Sequence, residues 1–290
     1  MPVSLSLPEG EKDILIFPDI AMTVPHYTTM LTIAGSDPSG GAGIQADIKT
    51  ASALGVYAMS VITAVTAQNT LGVKGFEPVS LPLLEAQLRC VLDDMRPDAV
   101  KIGMIPSAPH ASLIAGILRE YEVTGVVLDP VLVATSGDAL SDGDTALTLM
   151  QELSPLATVI TPNLPETTVL TGLQPASVPE MLQAACELRR RSGARGVLLK
   201  GGHSAGRADI IDIYSDPDAA DLLMHSRVDT VNTHGTGCTL SSAVASLMAL
   251  GRQPRAAAAE AVGWLHGAIK AGAEMTVGHG HGPVNHMYKS

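Results

Sequence analysis

The chain has 290 residues, of which 46% are apolar, 16% are charged and only 3% are aromatic. This composition is that of a compact globular protein with an aliphatic core, and it leaves little room for extensive disorder. The formal net charge of -11 opposes nonspecific attraction to nucleic acid or to anionic lipid, so neither is expected as a partner.

The pattern of apolar residues predicts a sheet that is covered by helices on both faces. Residues 1–28 carry scattered proline and charge without periodicity, and we expect them to form an extension outside the core. From residue 29 onward, short apolar runs alternate with longer helical patterns, which indicates a single α/β domain over 29–290. Strands are predicted at 30–35, 59–68, 98–103, 125–130, 157–163 and 196–201. Helices are predicted near 43–54, 80–94, 107–120, 142–152, 178–192, 236–250 and 254–275.

The three cysteines are far apart in the sequence and form no paired motif. An odd number of isolated cysteines indicates neither a disulfide framework nor a zinc site. Cys90 and Cys186 fall within apolar helical patterns, so we expect both to be core residues. There is no long apolar stretch, and no basic segment leads into an apolar run near the start of the chain. We therefore expect a cytoplasmic protein without an export signal or a membrane span.

The first predicted strand leads into a glycine-rich loop, AGSDPSGGAGIQAD, which precedes a helix. Such a loop can hold a ligand with main-chain amides, or it can simply allow the strand and helix to pack tightly. Gly41, Gly43 and Ala46 match the dinucleotide-binding pattern G-x-G-x-x-A. However, no acidic residue lies between Asp47 and Glu77 to bind a ribose, which disfavours an NAD-dependent oxidoreductase.

Two later strand ends carry polar side chains that suit a nucleotide and a metal. Asn163 and Glu166, in TPNLPE, are three residues apart and would share one face of a short helix. Their oxygens suit Mg²⁺, although a helix-capping box explains the same spacing equally well. Lys200, in LLKGGH, can reach a nucleotide phosphate, while a solvated turn is the commoner explanation for such a site.

The segment NTHGTGCTLSS leads directly into an alanine-rich helix. Gly235 and Gly237 allow successive N–H groups to point into one concavity, which suits a phosphoryl group in transfer. Cys238 would lie in the first helical turn, where the helix dipole is expected to lower the pKa of its thiol and make it a candidate base. In the alternative interpretation, Thr236 caps the helix and Cys238 is a small buried apolar residue.

Together, these segments resemble the hydroxymethylpyrimidine/phosphomethylpyrimidine kinases of thiamin biosynthesis, a branch of the ribokinase superfamily. The resemblance is carried, in this order, by TIAGSDPSGGAGIQADIKT, SVITAVTAQNT, VKIGM, VVLDPV, ITPNLPE, LLKGGH and NTHGTGCTLSSA. It implies a ribokinase-like three-layer α/β sandwich with a central, mostly parallel sheet, often assembled as a homodimer. It also implies an ATP- and Mg²⁺-dependent kinase that phosphorylates 4-amino-5-hydroxymethyl-2-methylpyrimidine and then the resulting monophosphate.

The resemblance also implies a role for individual residues. The anion hole would be formed by Gly235, Thr236 and Gly237, with Cys238 in the position of the catalytic base. The pyrimidine would contact Asp47 and Gln68. Four more residues would wall the pyrimidine pocket: Ala42, Thr66, Met104 and Val131. Three residues would serve the nucleotide, namely Asn163, Lys200 and Thr233, and two the metal, namely Glu166 and Asp129.

Two other functions on the same scaffold stay open at this point. A pyridoxal or pyridoxine kinase is the nearest, because those substrates also present a hydroxymethyl group on a nitrogen heterocycle. The other is a nucleotide-binding protein without catalytic activity. For the pyrimidine kinase, the first acceptor is an alcohol that must lose a proton, whereas the second is a phosphate that is already ionised. Cys238 is therefore expected to matter mainly for the first transfer.

Overall fold

A computed structural model describes residues 26–132, 143–202 and 209–289. Most of the expected N-terminal extension, residues 1–25, lies outside the described residues, and so does His203 of the LLKGGH segment. Within the described ranges, no helix is long and apolar enough to cross a membrane.

The described residues form a sheet of nine strands. In chain order these are β1 Thr29–Ser36, β2 Tyr57–Asn69, β3 Gly72–Pro78, β4 Ala99–Ile102, β5 Val126–Leu128, β6 Ala157–Ile160, β7 Gly196–Leu199, β8 Asp209–Ser215 and β9 Ala220–Ser226. Their order in the sheet is β3-β2-β1-β4-β5-β6-β7-β8-β9. Six strands that are consecutive in the sheet run parallel, namely β2, β1, β4, β5, β6 and β7. At the two edges of the sheet, β3, β8 and β9 pair in an antiparallel manner. The sheet is therefore mostly parallel, as expected.

Helices cover both faces of this sheet. The described α-helices are α1 Gly43–Ala53, α2 Leu81–Asp94, α3 Ala108–Glu120, α4 Gly143–Thr148, α5 Leu164–Thr171, α6 Val178–Ser192, α7 Thr236–Ala249 and α8 Pro254–Gly272. A π-helical turn, Leu149–Leu153, continues α4. Helices α2, α3, α4 and α6 pack on one face, and α1, α7 and α8 pack on the other. The result is the three-layer sandwich that the resemblance implies.

The alternation of side chains along the strands places charged groups under α1 and α7. Successive residues of a strand point to opposite faces of the sheet. Val100 and Ile102 therefore enter the core beneath α2 and α3, whereas Lys101 between them points to α1. Asp129 follows β5 and Lys200 follows β7, the two strands that flank β6, and their side chains point to the same face and bond to each other. These charged side chains thus lie below the start of α7.

Each predicted strand and helix is present, with ends shifted by a few residues. The strands β3, β8 and β9 are not among the predicted ones. β3 and β9 are edge strands with a solvated face, so they lack the continuous apolar runs that identified the inner strands. β8 lies between β7 and β9, and Asp209 and Asp212 interrupt its apolar run.

The prediction that Cys90 and Cys186 are core residues is wrong, because both are exposed. Each lies on the solvent side of an amphipathic helix. In α2, for example, the buried side is formed by Leu84, Leu88 and Leu92.

Candidate active site

A cavity of about 690 Å³ opens where the parallel strands end and α7 begins. In open α/β sheets, this edge is the usual position of a ligand. Fourteen of the fifteen site residues expected from the sequence line it: Ala42, Thr66, Gln68, Met104, Asp129, Val131, Asn163, Glu166, Lys200, Thr233, Gly235, Thr236, Gly237 and Cys238. The structure thus brings the separate motifs into one continuous space.

The N-terminus of α7 opens into the middle of this cavity. Gly235 takes the cap position with φ 77° and ψ 10°, a left-handed conformation that suits glycine. No side chain caps the helix, so the interpretation in which Thr236 is the capping residue is wrong. The N–H groups of the first turn, together with the helix dipole, create a positive potential at the cavity wall. This arrangement can bind an anionic group.

Cys238 lies half-buried in the cavity wall, in the first turn of α7. Burial raises the pKa of its thiol to about 11; the charges of Asp47 and Asp129 add to the rise, and Lys101 opposes it. The prediction that the helix start lowers this pKa is therefore wrong. The loss of hydration and two nearby carboxylates outweigh the helix dipole. The thiol is protonated at neutral pH when no ligand is bound.

Asp47 does not line the cavity, and its side chain is fully buried beneath α7. Its carboxylate accepts hydrogen bonds from Lys101 Nζ at 2.8 and 2.9 Å, from Thr32 Oγ1 at 2.6 Å and from Ser242 Oγ at 2.6 Å. These bonds use the acceptor sites of both oxygens. The expectation that Asp47 contacts the pyrimidine is corrected: this residue supports the floor of the site.

Lys101 supports the site from below, and the sequence analysis missed it. Its side chain is fully buried and pairs with Asp47, and the pKa of its ammonium group lies above the usual range because Asp47 and further negative groups outweigh the effect of burial. The available signal was a lysine within the buried strand segment DAVKIG, since an unpaired lysine is almost never found in such a position.

Two carboxylates and a lysine form a cluster on the other side of the α7 N-terminus. Lys200 Nζ lies 2.8 Å from Asp129 Oδ1 and 3.8 Å from Glu166 Oε2. Burial raises the pKa of Glu166 to about 7; Lys200 opposes this rise, and the charge of Asp129 adds to it. Burial also disfavours the charged form of Asp129, but Lys200 and Lys101 hold its pKa below the usual range.

The same cluster fits a divalent cation that is bound mainly through phosphate groups. Asn163 and Glu166 do form the capping box: the Glu166 N–H donates to Asn163 Oδ1 and the Asn163 N–H donates to Glu166 Oε2. The cluster nevertheless sets two carboxylates, Asp129 and Glu166, against the single ammonium group of Lys200. Among the described residues, no three acidic, histidine or cysteine side chains form a metal cage. Mg²⁺ is usually bound by one or two protein carboxylates together with substrate phosphates and water.

One end of the cavity carries the groups expected to bind a small heterocycle. Thr66 Oγ1 lies 2.9 Å from the Ser36 carbonyl oxygen and 3.3 Å from Gln68 Oε1. Gln68 thus has a neighbour that helps to orient its amide toward the cavity. Met104 and Val131 supply apolar walls here.

The opposite end of the cavity was not predicted from the sequence. It is walled by Val228, Leu265 and Ile269 together with two histidines, His225 and His266, whose ring centroids lie 5.1 Å apart. His225 Nδ1 and His266 Nε2 are buried and have no hydrogen-bond partner among the described residues. This end therefore offers a mainly apolar slot beside the two histidine rings. No sequence motif marks it, because its residues come from β9, from α8 and from the connection that leads from β9 to α7.

The chain matches known proteins over most of its length. The sequence profile of a family described as phosphomethylpyrimidine kinase matches residues 37–285. A hydroxymethylpyrimidine/phosphomethylpyrimidine kinase from Rhizobium meliloti (strain 1021) is 48% identical over 259 residues, which cover 89% of this chain and 97% of the relative.

Two solved structures show the same fold. The phosphomethylpyrimidine kinase of Clostridium difficile 630 superposes with a TM-score of 0.74 at 40% identity and covers 83% of this chain and 99% of its own. A pyridoxal kinase from Staphylococcus aureus, in complex with AMP-PCP and pyridoxal, superposes with a TM-score of 0.83 at 31% identity and covers 91% of this chain and 95% of its own.

Proposed function

The chain belongs to the phosphomethylpyrimidine kinase family, and from this premise we propose that it transfers phosphoryl groups from ATP in two steps of thiamin biosynthesis. The first acceptor is the alcohol 4-amino-5-hydroxymethyl-2-methylpyrimidine, and the second is its monophosphate. The observation that carries this proposal is that one continuous cavity is lined by a heterocycle pocket, an open helix N-terminus and a carboxylate–lysine cluster.

In this proposal, each part of the cavity binds one part of the reacting complex. The aminopyrimidine lies at the Gln68 end, where the amide can pair with a ring nitrogen or with the exocyclic amine. The donor phosphates lie along Asn163, Lys200 and Thr233. The base of ATP occupies the apolar slot walled by Val228, Leu265 and Ile269.

Phosphoryl transfer requires mainly alignment and stabilisation of charge. The N–H groups at Gly235, Thr236 and Gly237 would hold the migrating group, and Lys200 would neutralise charge on the donor. Glu166 and Asp129 are the residues that would hold Mg²⁺, which would supply further neutralisation of the phosphates when bound. Cys238 would accept the proton of the alcohol in the first transfer.

The direct test is to incubate the protein with ATP, Mg²⁺ and the pyrimidine alcohol and to follow the products by mass spectrometry. We expect the monophosphate first and the diphosphate later. If neither product forms while the folded protein is present at micromolar concentration, the proposed function is wrong.

Pyridoxal phosphorylation is a second candidate, which the similarity to the pyridoxal kinase structure favours. Both acceptors carry a hydroxymethyl group on a flat nitrogen heterocycle. Side-by-side measurement of kcat/KM for the pyrimidine alcohol and for pyridoxal ranks the two activities. We expect the pyrimidine alcohol to be the better substrate, and the reverse order would assign the chain to the vitamin B6 reaction instead.

We also propose that residues 29–290 form a single ribokinase-like kinase domain and that the protein acts in the cytoplasm. As the resemblance implies, we propose that it assembles as a homodimer. Size-exclusion chromatography coupled to light scattering measures the oligomeric state. A molar mass near 30.0 kDa, that of one chain, would contradict the dimer.

A further inference from the structure

Two glycine-containing loops contact each other in the wall of the cavity. One is the acceptor loop, residues 36–42, which follows β1, and the other is the anion loop, residues 233–238, which leads into α7. A Cβ atom at Gly235 would overlap the carbonyl oxygen of Gly41, and one at Gly41 would overlap the ring of His234. Only glycine at both positions allows this approach.

Asp37 joins the two loops through hydrogen bonds. Its Oδ1 accepts from the Ser39 N–H at 2.8 Å and from Ser39 Oγ at 2.7 Å, within the acceptor loop. Its Oδ2 accepts from the Ala42 N–H at 2.8 Å and lies 2.9 Å from Nε2 of His234, in the anion loop. Both side chains are more than nine-tenths buried, with Asp37 1% and His234 6% exposed. This contact is therefore shielded from solvent.

The charge state of Asp37 fixes the direction of the bond between the loops. Burial disfavours the charged carboxylate, but the hydrogen bonds from His234, Ser39 and Ala42 outweigh it and hold the pKa of Asp37 far below its usual range. An ionised carboxylate only accepts hydrogen bonds, so Nε2 of His234 carries the hydrogen and donates it. On its other side, the main-chain N–H of His234 donates to the Gly282 carbonyl oxygen at 3.1 Å. The histidine is thus held from two directions.

On the basis of the proposed kinase function, we propose that Asp37 and His234 are positioning residues that lock the acceptor loop against the anion loop. Ala42, whose N–H bonds to Asp37, walls the heterocycle pocket, and Gly235, next to His234, caps the helix that binds the phosphoryl group. The lock therefore sets the distance between the attacking oxygen and the phosphorus in both transfers. A displacement of about 1 Å at such a site can reduce the rate by roughly 100-fold.

The test uses four variants: His234→Ala, His234→Gln, Asp37→Asn and the double variant Asp37→Asn/His234→Ala. We expect His234→Ala to lower kcat for both acceptors by about 30- to 100-fold, with the KM for ATP changed by less than about threefold. His234→Gln should recover part of the loss, because its amide N–H can reach Asp37. The double variant should be no slower than the worse single variant, since each change breaks the same bond.

The control is His281→Ala, which removes an exposed histidine that bonds only to a main-chain oxygen, the Val231 carbonyl, through its ring. This variant should keep wild-type kcat. Losses that multiply in the double variant, a His234→Ala enzyme with wild-type kcat, or losses that scale with a fall in Tm would each overturn the positioning role. A wild-type protein that forms neither product would instead overturn the kinase function itself, so the two failures are distinguishable.

Discussion

The thiol of Cys238 lies where two opposing effects meet. The start of α7 favours a thiolate, and Lys101 adds to that effect, whereas burial and the carboxylates Asp47 and Asp129 favour the neutral thiol. The second group of effects prevails, and with a pKa of about 11 only roughly one molecule in ten thousand carries the thiolate at pH 7. A base of this kind works slowly at neutral pH and faster as the pH rises.

This pKa gives a pH dependence to the ratio of the two transfers. Below its pKa, a group gains about tenfold in its deprotonated fraction for each pH unit. The monophosphate acceptor has a second pKa of about 6, so it is ionised throughout this range. We expect kcat/KM for the alcohol, divided by that for the monophosphate, to rise steeply between pH 7 and pH 9 in the wild type. In Cys238→Ala, the ratio should be flat and at least about 100-fold lower at pH 9.

The exposed cysteines provide the control for this experiment. Cys90→Ala and Cys186→Ala should leave both the ratio and its pH dependence unchanged, because these side chains lie on the outer sides of α2 and α6. Equal losses of both transfers in Cys238→Ala would contradict a role of the thiol as base for the alcohol.

At the scale of strands and helices, the inner strands and the polar residues that follow them could be predicted from the sequence. Asn163 and Lys200 each follow a buried apolar run, and the ends of parallel strands meet at one edge, so their convergence in the cavity follows from the pattern. The edge strands could not be predicted in this way, because half of each faces water. β9, for example, exposes Leu222 and Met224 in alternation with half-buried residues.

The contacts between elements could not be predicted. Asp37 and His234 are 197 residues apart, and no local pattern indicates that they bond. The same holds for the histidine pair at the far end of the cavity. The resemblance placed Asp47 at the pyrimidine, but only the three-dimensional arrangement shows that its carboxylate is used by Lys101, Thr32 and Ser242.

The cap of α7 gives a prediction at the scale of an element. Gly235→Ala adds a methyl group to a left-handed residue and also forces it against the carbonyl oxygen of Gly41. We expect kcat for both acceptors to fall by at least about 100-fold, because the anion loop must move away from the acceptor loop. Steady-state kinetics on the purified variant measure this loss.

Gly251→Ala is the matched control for this change. Gly251 has a similarly left-handed φ of 85°, but a Cβ there would meet nothing within 4 Å. This variant should lose only about 1 kcal/mol of unfolding free energy from backbone strain and should keep full activity. If Gly251→Ala lost as much activity as Gly235→Ala, strain alone would explain the effect and the contact between the loops would be irrelevant.

At the scale of the whole molecule, the ion pair of Asp47 and Lys101 connects the layers beneath the site. Asp47 belongs to α1 and Lys101 to β4, and the same carboxylate also bonds to Thr32 in β1 and to Ser242 in α7. Removing one partner leaves an uncompensated buried charge, which typically costs about 3–5 kcal/mol. The pair therefore couples the position of α7 to the stability of the sheet.

Asp47→Asn separates this structural role from contact with the substrate. Because the variant leaves Lys101 without its counter-charge, we expect Tm to fall by roughly 6–20 °C, at about 2–4 °C for each kcal/mol. Below that temperature, KM for the pyrimidine alcohol should stay within about twofold of the wild type, since the side chain does not line the cavity. Loss of a charged hydrogen bond to the substrate would instead cost about 1.5–3 kcal/mol and raise KM by more than tenfold.

The double variant Asp47→Leu/Lys101→Met should regain most of the lost Tm, because it removes both buried charges together. A large rise in KM with an unchanged Tm would restore Asp47 to the substrate pocket.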